Sequence, residues 1–223
     1  MKRYTLILIV ALAVTAMGVS SCSTTSTSPP DTQFQSLFNG ENLEGWVGNK
    51  DSYVVEDGLI VIRPQEGGSG GNLYTAGEYD NFIFRFEFQL TPGANNGLGI
   101  HTPAEGDAAY LGKEIQILDH THEKYAEIKP YQVHGSVYGL VAAKTGYLKP
   151  VGEWNQEEVH VSGNKIKVIL NGTTIVDADL EEVTREGTLD GRDHPGLKKT
   201  KGHIAFCGHG DVVRFKNIEI KTL

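Results

Sequence analysis

Cysteine is scarce in this chain: only Cys22 and Cys207 occur among 223 residues. Cys22 stands at the end of a leader-like segment, so Cys207 is left alone in the remainder and an intramolecular disulfide is excluded in any redox compartment. A buried, inert thiol is the reading for Cys207. Basic clusters are also lacking. The 20 Lys and Arg are outnumbered by 28 Asp and Glu, a formal net charge of −8, and without a patch of cations to release counterions the chain is not a nucleic-acid binder. No heptads, no long amphipathic helix pattern and no repeat with a period of about 20–50 residues are present, which excludes coiled coils and repeat arrays. Phosphate-binding loops, serine nucleophile elbows and paired-cysteine motifs are missing as well, and the chemistries they carry drop out.

The one extended apolar run, Leu6 to Met17, follows Lys2 and Arg3. It is shorter than the about 20 residues that a membrane span requires, so it reads as a secretory leader. The run ends in Val19-Ser20-Ser21-Cys22, which resembles a bacterial lipobox. The resemblance implies cleavage after residue 21 and a lipid on the Cys22 thiol. Residues 22–33 are then a polar, proline-bearing tether, and residues 34–223 form the folded domain. The expected location is the bacterial cell envelope, on the periplasmic or outer-surface side, with the lipid as the membrane contact.

Glycine is plentiful, with 27 residues spread between short β-branched and aromatic runs, the pattern of strands joined by tight turns. Tyr53 to Arg63 reads as a hairpin about Asp57-Gly58. Val161 to Leu180 contains two more turns, at Gly163-Asn164 and Asn171-Gly172. Phe82 to Leu90 puts four phenylalanines on one face and Arg85, Glu87 and Gln89 on the other, and the last strand, from Val212, alternates too. Helix-like stretches are short: Thr75 to Tyr79 and Leu180 to Thr184. Residues 185–202 have no periodicity and read as a long loop over one edge or face. Strands of this kind bury one face each, and two packed antiparallel sheets satisfy that requirement. The expected fold is an all-β sandwich.

Lys113 to Leu118 sharpens the functional reading. Ile115 and Ile117 alternate with Glu114 and Gln116, so one face is apolar and the other carries a carboxylate and an amide. Such groups suit the hydroxyls of a sugar lying on a concave sheet; the alternative is a surface wetted by bulk water.

The segments Phe34–Trp46, Tyr79–Asn96, EIQILD, GSVYGL, KPVGEWN and the closing GHIAFCGHGDVVRFKNIEI resemble the 3-keto-disaccharide hydrolase-like family over essentially the whole domain and in the same order. The resemblance implies a concanavalin A-like jelly roll and action on glycosides already oxidised to a ketone at C3, which in turn calls for a separate sugar C3 oxidoreductase. Two departures stand out, His101 where many members carry Arg and Gly208 where an acid commonly precedes the His-Gly pair. Both are expected at ligand-contacting positions.

A C3 ketone acidifies the C2 hydrogen, so the site needs a base, a donor for the enolate oxygen and an acid for the leaving group. Glu114 is the expected base, its carboxyl raised by partial burial. His101 and His134 are candidate acids or oxyanion donors. Arg85, Glu87, Gln116, Asp119, Tyr138 and His209 are candidates for holding hydroxyls, and Trp154 for stacking on a ring, whereas Trp46 is expected in the core. Asp119, His120 and His122 lack the spacing of a strong zinc signature, so no metal site is assigned and no cofactor is called for; a divalent cation at the sugar site stays open. Two other readings remain: a noncatalytic carbohydrate-binding module on the same face, and an ordinary glycosidase using Glu87 and Glu114 as its two carboxylates.

Overall fold

The computed structural model describes Met1 and residues 33–63 and 70–223. The leader after Met1, Cys22 and nearly all of the tether therefore lie outside the described residues. Among the described residues, no helix is long and apolar enough to cross a membrane.

Among the described residues thirteen strands and two short α-helices follow in chain order: β1 (Gln35–Ser36), β2 (Trp46–Gly48), β3 (Tyr53–Glu56), β4 (Leu59–Ile62), β5 (Gly71–Thr75), β6 (Phe82–Leu90), β7 (Asn95–Thr102), α1 (Ala108–Leu111), β8 (Lys113–Leu118), β9 (Trp154–Ser162), β10 (Lys165–Leu170), β11 (Thr173–Asp179), α2 (Leu180–Val183), β12 (His203–Gly208) and β13 (Val213–Thr222). They form two antiparallel sheets packed as a jelly-roll sandwich. The larger runs β11-β10-β9-β6-β13-β4-β3, with β1 on β13; the smaller runs β2-β5-β12-β7-β8.

The turns take the form their residues dictate. Asp57 and Gly58 have φ of 50° and 74°, and Asn171 and Gly172 have 49° and 84°. Two successive positive φ values match the twist of the flanking strands, which is why Asp-Gly and Asn-Gly stand there. Gly163, at φ 58°, opens the third expected turn.

Between the sheets lies an aromatic core. Phe82, Phe84, Phe86 and Phe88 all point inward from β6 and are fully buried, each contributing about 1.5–3 kcal/mol of apolar burial. Phe206 of β12 stacks on Phe215 of β13 with centroids 3.9 Å apart and on Trp46 at 5.6 Å. Trp46, 1% exposed, satisfies its indole N–H on the Leu37 carbonyl at 2.8 Å. It is a core residue, as its pattern predicts.

Leu180–Val183 is helical, with Asp179 accepting from the Glu181 and Glu182 N–H groups. Thr75 to Tyr79 is not helical. Thr75 ends β5, its hydroxyl donates to the Gly77 carbonyl at 2.8 Å, and Tyr79 pairs with Gly202 across a bridge. The local hydroxyl bond gives this segment an alternative to helix that a propensity reading does not weigh.

Strand β8 is one of the two edge strands of the smaller sheet, and all six of its residues are buried. Residues 135–138 cover its edge: Gly135 N–H donates to the Gln116 carbonyl, Gln116 N–H to Ser136, and Tyr138 N–H to Glu114. This cover satisfies the free edge. It also walls in the carboxylate and amide face, which is therefore not an open exterior.

Candidate active site

The site grows from a step in the smaller sheet. On its outer face β7 presents Gly97 and Gly99 beside Gln116 and Glu114 of β8. A Cβ at Gly97 would lie 1.8 Å from Glu114 Oε1, so the missing side chain is what lets the carboxylate lean across the neighbouring strand. Glu114 and Gln116 are each only 6% exposed. They stand in a cavity of about 320 Å³ also lined by Asp107 and Tyr110, Tyr125, Gln132 and Tyr138, Arg192, and His209 just past β12. That volume suits a small ligand, and its polar lining suits a hydroxylated one.

Glu114 Oε1 is buried without a hydrogen-bond partner among the described residues. Its neighbour is the imidazole of half-exposed His209, with Nε2 3.7 Å away. The side-chain contact with Glu114 pushes the His209 pKa up against the opposing effect of burial, and the charges of Glu114, Asp107 and Asp211 add to the rise. A carboxylate with a free oxygen beside an imidazole biased toward its protonated form is a base and an acid held together. Burial drives the Tyr110 hydroxyl up to about 12, helped by Tyr138 and opposed by Arg192, so it remains a neutral hydrogen-bonding group. Cys207 faces the same side of the sheet and is pushed well up, by burial first and Glu114 second. It stays a thiol.

Of the residues singled out from the sequence, Glu114, Gln116, Tyr138 and His209 line this one cavity. The other candidates stand elsewhere. His101 is 1% exposed and packs edge-on to Phe82 at 6.0 Å, on the core side of the smaller sheet. Its Nε2 donates to the Asp80 carbonyl at 2.7 Å, and its Nδ1 faces the Lys113 ammonium at 3.4 Å; burial lowers its pKa. It is a structural pin away from the pocket. Gly208 also faces inward, where a Cβ would meet the Gly71 carbonyl at 2.7 Å and the Tyr53 hydroxyl at 3.0 Å. Neither departure from the family pattern therefore stands at a position lining the pocket.

His134 is buried between the sheets. Its ring lies against Phe88 at 5.1 Å, its Nδ1 accepts from the Leu118 N–H at 3.2 Å, and its Nε2 meets Glu157 Oε2 at 3.0 Å. The accepted N–H leaves the ring proton on Nε2, which faces Glu157 across that distance, although the two make no well-aligned hydrogen bond. Asp119 shapes a turn. Burial would raise its carboxyl, but hydrogen bonds from Thr121 and Gly93 outweigh that and hold it low. His120 and His122 do not join it: among the described residues no three His, Cys, Asp or Glu side chains gather as a metal cluster.

Arg85, Glu87 and Trp154 lie on the outer face of the other sheet. Arg85 pairs with Glu219 at 2.6 Å and covers the Phe34 ring, Glu87 pairs with Lys216 at 3.4 Å, and the same ammonium sits 4.0 Å over Trp154. They do not stand beside Glu114, contrary to the expectation from strand alternation. Period two separates the faces of one strand but does not say which sheet a strand joins. Glu87 and Glu114 are separated by the thickness of the sandwich, about 10 Å between sheets alone, and cannot flank one glycosidic bond.

Three pocket residues carried no sequence signal strong enough to single them out. Asp107 and Tyr110 belong to α1, one turn long, with Asp107 capping it through the Ala109 N–H at 3.0 Å. Arg192 projects from the long loop between α2 and β12. Length and lack of periodicity mark that loop as functional; nothing local marks the arginine.

Residues 33–221 match the 3-keto-alpha-glucoside-1,2-lyase-like domain. A curated 3-keto-disaccharide hydrolase of Bacteroides thetaiotaomicron is 25% identical over 224 residues, covering 84% of this chain and 77% of the relative. A crystal structure from Parabacteroides distasonis, provisionally described as a glycosyl hydrolase, superposes with a TM-score of 0.72 at 31% identity, covering 86% of this chain and 100% of the other. A carbohydrate-binding module from Bacillus subtilis shares the fold alone, with a TM-score of 0.51 at 10% identity over 80% of this chain and 96% of the module. With the match running through every strand and the pocket, the chain belongs to the 3-keto-alpha-glucoside-1,2-lyase-like domain family.

Proposed function

We propose that this protein cleaves 3-keto-glycosides, with Glu114 as the base and His209 as the acid. The observation that carries the reading is the Glu114 carboxylate, 6% exposed, with one oxygen unpartnered and an imidazole 3.7 Å away, in a cavity large enough for a sugar ring. The activity named for the curated relative supports the ketone.

The chemistry balances without a redox step. Glu114 takes the C2 proton, and the electron pair moves toward the C3 carbonyl as an enolate. Its collapse forms the C1–C2 double bond and breaks the C1–O bond, and His209 delivers its proton to the departing oxygen. Addition of water across the new double bond, hydroxyl to C1 and proton to C2, completes a net hydrolysis. His209 fits the acid because its raised pKa keeps it protonated to a higher pH than a free imidazole. Gln116 and Tyr138 supply hydrogen bonds to ring hydroxyls. An enzyme of another class, acting on the same sugar at C3, must provide the ketone, and a lipid on Cys22 would hold the domain at the envelope.

Following loss of a 3-keto-glucoside in the presence of the soluble domain tests this. Catalytic turnover is expected, and Glu114→Gln should reduce kcat by about 10²–10⁴-fold, the range for a lost general base, with binding largely kept. Stoichiometric retention of the sugar without turnover would make the protein a binding module.

A further inference from the structure

We propose that Arg192 is the group that takes up the negative charge developing on the C3 carbonyl oxygen, and that Asp190 and His194 are its positioning residues. The inference rests on the ketone chemistry above and adds the third element that chemistry requires.

Among the described residues Arg192 has no ion-pair partner, so its charge is not spent on a carboxylate as those of Arg63 and Arg85 are. It lines the cavity that holds Glu114 and His209. Its guanidinium lies over the Tyr110 ring at 4.5 Å and donates from Nη1 to the Tyr110 hydroxyl at 2.5 Å. A guanidinium carries five N–H donors in a fixed plane, so most of its fork is left for a ligand. Arg192 itself is exposed, and an oxygen gaining charge in the cavity beside it is an acceptor that such a fork stabilises.

Behind Arg192 the loop is anchored at several points. Asp190 accepts the Arg192 backbone N–H at 3.1 Å and the Tyr110 hydroxyl at 3.3 Å. It therefore fixes both the main chain of the arginine and the ring on which the guanidinium rests. His194 Nε2 reaches both Asp190 oxygens, at 3.2 and 3.1 Å, while Nδ1 faces the Ala109 carbonyl at 3.2 Å. Both ring nitrogens thus face acceptors, and the ring ties Asp190 to the chain at Ala109. Burial would raise the Asp190 carboxyl, yet the hydrogen bonds from Arg192, His194 and Thr188 prevail and hold it low. Gly139 completes the anchor. At φ 71° its carbonyl accepts from the Leu189 N–H at 2.7 Å, and a Cβ there would be 2.6 Å from Asp190 Oδ2. A loop merely covering the sheet needs no such convergence on one arginine.

The test compares wild type, Arg192→Ala, Arg192→Lys, Asp190→Asn and the double variant Asp190→Asn/Arg192→Ala on a 3-keto-glucoside. Thermal unfolding of each confirms that it folds. Arg192→Ala should lose about 10²–10³-fold in kcat, the loss typical of one oxyanion donor, with KM changing far less. Added guanidinium ion should restore part of that kcat, and Arg192→Lys should regain less because a point charge does not reproduce the planar fork. Asp190→Asn alone should lower kcat, and in the Arg192→Ala background it should add almost nothing, since a positioning residue has no effect once its client is gone. If wild type turns over the ketone while Arg192→Ala keeps its kcat, the role of Arg192 is overturned and the general reading survives. Additive losses in the double variant overturn the positioning role. If wild type leaves the ketone intact, the underlying reading falls and takes this one with it.

Discussion

At the scale of single residues the proposed chemistry turns on one carboxylate–imidazole contact. Glu114 raises the pKa of His209, so the protonated imidazole is favoured in the folded state. Its contribution to stability is then complete below the unfolded value near 6.5 and is lost as pH rises through the higher folded value. With His209 half-exposed, that contribution is screened. Catalysis by the same proton fails in the same direction, so kcat should fall on the alkaline side at a pH above that of a free imidazole. Nuclear magnetic resonance titration of the His209 ring should show its pKa drop in Glu114→Gln; an unchanged value would separate the two groups electrostatically. Residues of this kind are legible where strand alternation exposes them, as with Glu114 and Gln116. Arg192 and Tyr110 are not, because a loop and a one-turn helix carry no period from which a facing direction can be read.

Elements contribute by what they leave out and by what they bury. Gly97 makes room for Glu114, and Gly97→Ala should displace the carboxylate without disturbing the core. An expected loss of about 10²-fold in kcat follows from a shift of that order, with the melting temperature nearly unchanged; retained activity would show that Glu114 does not need this position. The buried His134–Glu157 pair joins the segment beside β8 to β9 of the facing sheet. His134→Phe strands Glu157 in the core and should cost about 3–5 kcal/mol in urea unfolding, whereas adding Glu157→Leu should recover most of it. Strand and hairpin positions were legible because Asp-Gly, Asn-Gly and alternating phenylalanines each permit few backbones. His134 was not recognisable as a core residue, since a histidine between glycine and valine in a loop gives no hint of a carboxylate arriving from another sheet.

Across the whole molecule, the two outer faces of the sandwich divide into a side that holds the Glu114 cavity and an ion-paired side. Arg85, Glu87 and Trp154 stand on the latter, and Glu87→Ala should leave kcat/KM on the ketone within twofold of wild type; a large loss would mean that ligand reaches around the sandwich. Composition and turn pattern made the all-β class and the sheet count accessible from sequence, but assignment of polar faces to one sheet or the other depends on long-range pairing that no local window contains. The central claim, that the pocket removes a proton from C2 of an oxidised sugar, is tested most directly by following that hydrogen. Turnover of a 3-keto-glucoside in heavy water, read by nuclear magnetic resonance, should give a released sugar carrying deuterium at C2, and substrate deuterated at C2 should react more slowly. Full retention of the original C2 hydrogen, or equal cleavage of the unoxidised glycoside, would contradict it.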